Sequence, residues 1–167
     1  MFKKKHIHFI GIGGIGMSGI AQVLHKKGFK VSGSDLCENT IIKKLKKKMR
    51  IFGSHKAENL DNADIVVYSS AIKKNNIELL TAKKQKIPVF SRAMMLAQVM
   101  RLKSSITVAG SHGKTTTTSL IASIFETSGM DPTILSGGII NNLEINAKLG
   151  KGDWIVAEAD ESDGSFM

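Results

Sequence analysis

The fold of this chain is limited above all by residues 108–118, a loop of sequence Val-Ala-Gly-Ser-His-Gly-Lys-Thr-Thr-Thr-Thr. An apolar run, Ile106 to Ala109, predicts a buried strand before it, and a helical pattern begins after it. Glycines let successive backbone N–H groups and the helix N-terminus point at one anion. Lys114 would place a cation on the β/γ-phosphates, and Thr115 a hydroxyl on Mg²⁺. The stretch predicts a phosphate-binding loop for ATP.

The spacing of this loop departs from the general pattern, which places four residues between the first Gly and Gly-Lys. That pattern requires Gly at position 108, where Val108 stands, and Gly110 lies only two residues before Gly113. An ordinary strand-to-helix turn, whose threonines cap the helix, is the alternative. The order Gly-Lys-Thr, after a strand and before a helix, favours phosphate binding.

A second glycine-rich stretch, residues 11–16, has the sequence Gly-Ile-Gly-Gly-Ile-Gly and follows a strand-like segment, residues 6–10. A helical pattern comes next, and then a second strand that ends in Asp35, 19 residues after Gly16. A carboxylate at such a strand end is placed to take ribose hydroxyls. This order of elements indicates a nucleotide-binding site.

Alternating strand and helix patterns fill the next part of the chain. Residues 64–68 form the near-continuous apolar run expected of a strand buried on both faces, and small residues follow where a ligand can approach. A helix ending near Lys86, a strand over residues 87–91 and a helix over residues 92–100 come next. The alternation predicts an α/β fold with a doubly wound, Rossmann-like parallel sheet. His6 and His8 share one face of the first strand, and we expect them to be structural histidines.

The charge balance changes sign near residue 104, where a new apolar strand begins. Residues 1–103 carry 21 Lys and Arg against 6 Asp and Glu, whereas residues 104–167 carry 3 against 8. Of the 24 basic residues 21 are Lys, and one Tyr and one Trp are available for stacking, which disfavours nucleic-acid binding. No apolar run reaches the ~18 residues of a membrane span. No signal peptide fits, and the lone Cys37 suits a reducing cytoplasm.

Four carboxylates, Glu158, Asp160, Glu161 and Asp163, follow a predicted strand at Trp154. They repel one another unless cations or hydrogen-bond donors lie close. An exposed acidic loop is the alternative reading. Beside a phosphate loop that brings Mg²⁺, an acid directly after a neighbouring buried strand is a natural metal ligand. Glu158, nearest the strand, is the first choice.

Taken in order, these motifs resemble those of the Mur ligases, the ATP-dependent amino-acid ligases of peptidoglycan precursor synthesis. The segments that carry the resemblance are residues 11–19, 33–35, 69–72, 109–118 and 158–163, which span almost the whole chain. The loop spacing that breaks the general rule is the form this family uses. Ser162 in the acidic stretch favours the branch that adds L-alanine over the branch that recycles murein tripeptide.

The resemblance implies that the first glycine loop binds the UDP part of UDP-N-acetylmuramate. The implied UDP-sugar-binding residues are Gly13, Gly14, Ile15, Gly16, Asp35, Ser69, Ser70, Ala71, His112, Asp160 and Ser162. It also implies that ATP phosphorylates the muramyl carboxylate, and that the amine of L-alanine attacks the acyl phosphate. The implied ATP-binding residues are Gly110, Ser111, His112, Gly113, Lys114, Thr115 and Thr116. Lys114 and Glu158 are the implied catalytic residues, with Thr115 and Glu158 holding Mg²⁺.

The family has three domains. The resemblance therefore implies a UDP-sugar-binding domain over residues 1–103 and an incomplete P-loop ATPase domain over residues 104–167, so we expect no ligase turnover from these 167 residues alone. Two other functions stay open. An NAD(P)-dependent dehydrogenase would use residues 11–16 and Asp35 but leaves the second loop unexplained. A non-catalytic UDP-sugar-binding stub would use the first half only.

Overall fold

The computed structural model describes residues 5–140 and 145–159. The first of its two sheets has five parallel strands in the order β3-β2-β1-β4-β5. These strands are β1 (His6–Ile10), β2 (Lys30–Ser34), β3 (Arg50–Phe52), β4 (Ile65–Tyr68) and β5 (Val89–Ser91). The helices between and after them are α1 (Ile15–Lys26), α2 (Thr40–Lys46), α3 (Ile77–Lys84) and α4 (Arg92–Met100), with a 3₁₀ turn at Ala57–Leu60. The predicted Rossmann-like parallel sheet is confirmed.

The strand order reverses between β1 and β4, because the chain winds to one side through β2 and β3 and then to the other through β4 and β5. In open parallel sheets the crevice at the carboxyl ends of the strands beside such a reversal binds ligands. The glycine-rich residues 11–16 and the small residues 69–72 follow β1 and β4 directly. The topology therefore places both stretches at this crevice.

The second sheet has four strands in the order β6-β9-β7-β8. They are β6 (Ser104–Val108), β7 (Thr133–Ile140), β8 (Ile145–Lys148) and β9 (Trp154–Glu158), and α5 (Lys114–Thr127) connects β6 to β7. β9 lies parallel to both of its neighbours, whereas β8 pairs antiparallel with β7. The hairpin strand β8 was not predicted from the sequence.

One expectation about burial in this second sheet is wrong. The run Ile106 to Ala109 before the phosphate loop was expected to be a buried strand, but among the described residues β6 pairs with β9 alone, and Thr107 and Ala109 are exposed. Leu120 and Ile124 do not lie on the packed side of α5, since they are 61% and 63% exposed. The helix buries Ala122 instead, because that side faces β7 and β9.

Helix α1 lies between the two sheets and joins them. Its Met17, Ile20 and Val23 belong to the same hydrophobic core as Leu135 of β7 and Ala147 of β8. A helix that is apolar on most sides is buried on most sides, and nearly every residue of α1 from Met17 to Leu24 is buried. The glycine loop at the start of α1 is thereby held close to the second sheet.

Lys103 ties together the end of the second sheet that lies away from the phosphate loop. Its Nζ donates to the carbonyl oxygens of Gly150 (2.8 Å) and Gly152, and to Thr133 Oγ1 (3.2 Å). Burial lowers the pKa of Lys103 below its ordinary value.

We expect Lys103→Met to lower the free energy of unfolding by about 1–3 kcal/mol, because it leaves the acceptors without their cation. Urea denaturation measures this; Lys151→Met, at an exposed lysine, should change it by less than about 0.5 kcal/mol. Equal effects of the two variants would contradict the prediction.

Candidate functional site

The glycine-rich loop between β1 and α1 is organised by the end of β2. The N–H groups of Gly11 and Ile12 both donate to the carbonyl oxygen of Ser34, at 2.8 and 3.1 Å. The N–H of Gly13 donates to Asp35 Oδ2 at 2.8 Å. Gly11 has φ +79°, a conformation that favours glycine. The turn is thus fixed by Ser34 and Asp35, and the chain enters α1 in a defined direction.

The N-terminus of α1 has features of an anion-binding site. Its N-cap residue, Gly14, makes no capping hydrogen bond through a side chain, and the first turn carries no acidic residue. The N-terminal end of a helix carries a partial positive charge, and its first N–H groups lack partners within the helix. Gly14 and Ile15 are exposed. This geometry suits the binding of a phosphate group.

The ends of β2 and β4 form the two sides of the glycine loop. Asp35 accepts the Gly13 N–H through Oδ2 and the Cys37 N–H through Oδ1, at 2.8 and 3.0 Å. On the other side Ser69 packs so closely that a Cβ built on Gly11 would lie 3.2 Å from the Ser69 Cβ. Asp35 and Ser69, predicted from separate motifs, therefore flank the same loop.

A cavity of about 620 Å³ lies beside the carboxyl ends of β4 and β5. It is lined by Tyr68, Ser70, Ile72, Lys74, Leu79, Lys83, Val89, Ser91 and Arg92. Three of these side chains are cations, and the hydroxyls of Tyr68, Ser70 and Ser91 add polar groups. Apolar walls with a few convergent polar and charged groups are typical of a small-molecule site. Lys74, Lys83 and Arg92 were missed in the sequence, where they stand among many lysines.

The phosphate loop between β6 and α5 has the backbone that its glycines permit. Gly110 has φ +142° and Gly113 has φ +77°, both in the region that favours glycine. Gly113 is also the N-cap of α5, and it makes no capping hydrogen bond through a side chain. Lys114 Nζ donates back to the carbonyl oxygen of Gly110. The lysine cation therefore lies over its own loop, beside an uncapped helix N-terminus.

The remaining predicted loop residues are accessible. Ser111, His112 and Thr116 are exposed, and Thr115 is half-buried. The Thr115 carbonyl accepts the Ser119 hydroxyl at 2.7 Å, which ties down the backbone of the helix without using the Thr115 side chain. Thr115 thus stands in the first turn of α5, next to Lys114, as the phosphate-loop pattern requires.

Glu158 stands at the same end of the second sheet as the phosphate loop. It is in register with Val108 of β6, and the Ala159 N–H donates to the Val108 carbonyl at 2.9 Å. The carboxylate is 7% exposed and accepts the Ser136 hydroxyl on Oε1 at 2.7 Å. The sequence predicted that the acid follows a strand neighbouring the loop, and the strand order β6-β9 agrees with that.

A narrow crevice runs along α1 from the first glycine loop to Glu158. It is lined by Gly16, Gly19, Ile20, Arg92, Leu96, Leu135, Ser136 and Glu158. Arg92 borders both this crevice and the larger cavity, and a Cβ built on Gly16 would lie 2.9 Å from Arg92 Nη1. The first glycine loop, Arg92 and Glu158 therefore belong to one continuous region between the sheets.

The donors near the phosphate loop suit Mg²⁺ better than a metal held by protein alone. Within residues 5–140 and 145–159, no group of three or more His, Cys, Asp or Glu side chains is gathered for a metal. Mg²⁺ is usually held by one or two protein oxygens together with substrate phosphates and water. Thr115 and Glu158 fit that pattern as hard oxygen donors. Asp160 and Ser162, predicted to face the UDP-sugar, lie outside the described residues.

Residues 6–104 match the family described as Mur ligase family, catalytic domain. The chain belongs to the Mur ligase family. It is 57% identical to UDP-N-acetylmuramate–L-alanine ligase of Azorhizobium caulinodans, over 96% of this chain and 35% of that protein. It is 54% identical to the ligase of the same name from Brucella suis, over 96% of this chain and 34% of that protein. The chain thus spans about a third of the length of these relatives.

Solved structures of Mur ligases share the fold. The UDP-N-acetylmuramate-alanine ligase of Thermotoga maritima superposes with a TM-score of 0.87 at 34% identity, covering 94% of this chain and 37% of that one. The UDP-N-acetylmuramate:L-alanyl-gamma-D-glutamyl-meso-diaminopimelate ligase of Neisseria meningitides gives a TM-score of 0.88 at 31% identity, covering 99% and 55%. Among the described helices, none has the length and apolar character needed to cross a membrane.

Proposed function

We propose that this chain supplies the nucleotide-sugar site and the phosphate loop of an ATP-dependent ligase that joins L-alanine to the carboxylate of UDP-N-acetylmuramate. The observation that carries the proposal is the pair of helix N-termini whose N-cap residue is glycine, that of α1 on the parallel first sheet and that of α5 on the mixed second sheet, with α1 packed between the two sheets. Relatives more than half identical to it are named as ligases of this kind. Membership of the family leaves the dehydrogenase hypothesis without support.

The UDP-sugar is assigned to the first sheet. Residues 13–16 offer N–H groups and the α1 N-terminus to the diphosphate. Asp35 keeps acceptor capacity on both oxygens for ribose hydroxyls, since each accepts one hydrogen bond and a carboxylate has about four acceptor positions. Ser70 and Arg92 border the cavity into which the rest of the ligand extends, and Ser69 and Ala71 adjoin Ser70 in the same segment. Glu158, at the far end of the narrow crevice, marks the side of the second sheet toward which the muramyl carboxylate is directed.

ATP with Mg²⁺ is assigned to the phosphate loop, where the bound ion supplies charge neutralisation to the transferring phosphoryl group. Residues 110–113 and Thr116 donate backbone N–H groups to the phosphates. Lys114 exchanges the Gly110 carbonyl for phosphate oxygens and so places its charge where negative charge develops. Thr115 and Glu158 hold the ion, and Ser136 orients the Glu158 carboxylate by its hydrogen bond. His112, exposed beside the loop, contacts the substrate.

Calorimetric titration of the chain with UDP-N-acetylmuramate, with NADH as the control ligand, tests this function. Gly14→Asp is the informative variant, because a Cβ at Gly14 has no contact nearer than 3.7 Å and Asp is a favourable N-cap. Its negative charge should repel the diphosphate and raise the Kd at least about tenfold above that of the uncharged Gly14→Asn. Binding of NADH alone, binding of neither ligand, or equal Kd values for the two variants would contradict the assignment.

A further inference from the structure

Seven polar side chains form a connected cluster on the face of the first sheet that α3 and the 3₁₀ turn cover. The members of this buried polar cluster are His6, His8, Ser32, Ser34, His55, Asn59 and Glu78. His8, Ser34 and Glu78 are 0% exposed. Polar groups at such depth are costly unless their hydrogen-bonding capacity is satisfied, so the partners of each atom fix where the hydrogens lie.

The hydrogens can be placed from the outer end of the cluster inward. His6 Nδ1 lies 2.9 Å from the Asn62 carbonyl, which can only accept, so Nδ1 carries a hydrogen. Burial lowers the pKa of His6 below its ordinary value, which favours the neutral ring with an accepting Nε2. Ser32 Oγ, 2.8 Å away, therefore donates to His6 Nε2. Because Ser32 has a single hydroxyl hydrogen, it accepts from His8 Nδ1 at 2.8 Å.

This leaves His8 Nε2 facing a carboxylate. It lies 3.5 Å from Glu78 Oε1, which is within ion-pair distance, and it makes no hydrogen bond in the described part of the chain. A neutral His8 would direct its lone pair at that oxygen, which is unfavourable in a buried site. A hydrogen on Nε2 turns the contact into an attraction. The arrangement therefore places a proton on His8 and a negative charge on Glu78.

Glu78 has enough donors to stay ionised. Its Oε1 accepts from Asn59 Nδ2 at 2.6 Å, and its Oε2 accepts from the Ser34 hydroxyl at 2.6 Å. His55 Nδ1 lies 2.9 Å from Oε2. Burial alone would raise the pKa of Glu78, but the interactions with His8, Ser34 and Asn59 outweigh it, so the pKa lies below the ordinary value. One carboxylate thus connects β1, β2, the segment after β3 and the 3₁₀ turn to α3.

Two of these connections lead to the glycine-rich loop. His8 is on β1, which runs directly into Gly11, and Ser34 is the last residue of β2. The Ser34 carbonyl accepts the Gly11 and Ile12 N–H groups, while the Ser34 hydroxyl gives its only hydrogen to Glu78. The loop is therefore attached to a residue whose side chain is held by a buried ion.

We propose that Glu78 is a positioning residue for the glycine-rich loop, holding the ends of β1 and β2 in place as the anionic partner of a protonated His8. The expected effect of Glu78 on UDP-sugar binding rests on the function proposed above. The expected effect of Glu78 on the loop does not rest on that function, because the loop geometry can be measured without a ligand.

Hydrogen exchange of backbone amides, followed by NMR in Glu78→Gln, tests the proposal without a ligand. The Gly11 and Ile12 amides should exchange at least about tenfold faster relative to the Val66 amide, which bonds to the Pro88 carbonyl on the side of β4 away from β1 and reports general loss of stability. The matched control is Glu58→Gln, the same chemical change at an exposed carboxylate of the 3₁₀ turn, which should leave this ratio unchanged. The His8 imidazole ¹⁵N signals should change from the charged to the neutral pattern in Glu78→Gln only.

Calorimetric titration with the UDP-sugar provides a second test of the role of Glu78. The Kd for UDP-N-acetylmuramate should rise at least about tenfold in Glu78→Gln and stay unchanged in Glu58→Gln. A lower urea midpoint without a change in the exchange ratio or the Kd would show a merely structural role and overturn the proposal. If the unchanged chain binds no UDP-sugar, the proposed function fails, and the exchange ratio still decides the role of Glu78.

Ser34→Ala covers the case in which Glu78→Gln does not fold. It removes one hydroxyl and leaves the contact between His8 and Glu78 in place. Gly11 and Ile12 should again exchange faster relative to Val66, by about threefold or more. An unchanged ratio in a folded Ser34→Ala protein would overturn the proposal.

Discussion

Replacing Lys114 with alanine is expected to weaken the binding of ATP in the presence of Mg²⁺ by about 10- to 150-fold. A hydrogen bond to a charged group contributes about 1.5–3 kcal/mol, and about 1.4 kcal/mol corresponds to a factor of ten in Kd. Lys114 stands in the first turn of α5, and its ammonium group already lies over the loop at the Gly110 carbonyl. The lysine therefore needs only a small movement to reach a phosphate. Calorimetric titration with ATP and Mg²⁺ gives the Kd.

The matched control is Lys151→Ala, which removes an exposed lysine of the same second sheet and changes the net charge equally. It should change the Kd by no more than about twofold, since exposed charges at a distance are screened. An equal loss in both variants would mean that the overall charge attracts ATP and that the loop does not recognise it. No loss in either variant would remove the phosphate loop from the proposed function.

The parts of the site that the sequence predicted are those whose residue types are demanded locally. Gly11, Gly110 and Gly113 adopt positive φ in the structure, so their glycines had to appear in the motif. Glu158 was predicted because an acid directly after an apolar run marks the carboxyl end of a strand, and Asp35 because it ends a predicted strand 19 residues after Gly16. Such signals need only a few neighbouring residues, which explains why the order of motifs agreed with the topology.

Features that depend on distant partners were missed. β3 has three residues and β8 has four, too few to show a period, and each is defined by its pairing with another strand. Glu78 looks like an ordinary charged residue in the first turn of a helix, yet it is fully buried against residues 19 to 70 positions away. A signal was present in the alternating polar residues of the first two strands, His6 and His8 on one and Ser32 and Ser34 on the other. Four polar side chains on one covered face require a polar partner.

Gly33→Ala is expected to lower the free energy of unfolding by about 2–3 kcal/mol, within the range for an extra methyl group in a packed core. Gly33 has no unusual backbone conformation, so the reason is space. A Cβ there would lie 2.6 Å from Ile12 Cδ1, 2.8 Å from Ile12 Cβ and 2.8 Å from the Phe9 carbonyl oxygen. The carbonyl is fixed by the pairing of β1 with β2, and Ile12 is 0% exposed.

Because Ile12 belongs to the glycine-rich loop, the strain should reach the nucleotide site as well. The methyl group must push Ile12 away from β2, and that movement lengthens the bond from the Ile12 N–H to the Ser34 carbonyl. Urea denaturation and the Kd for UDP-N-acetylmuramate should therefore change together. Gly53→Ala is the matched control, since no atom lies within 4 Å of a Cβ built there, and it should be neutral or slightly stabilising. If the Gly33→Ala and Gly53→Ala variants were equally stable, the close approach of β2 to the loop would not be the reason that residue 33 is glycine.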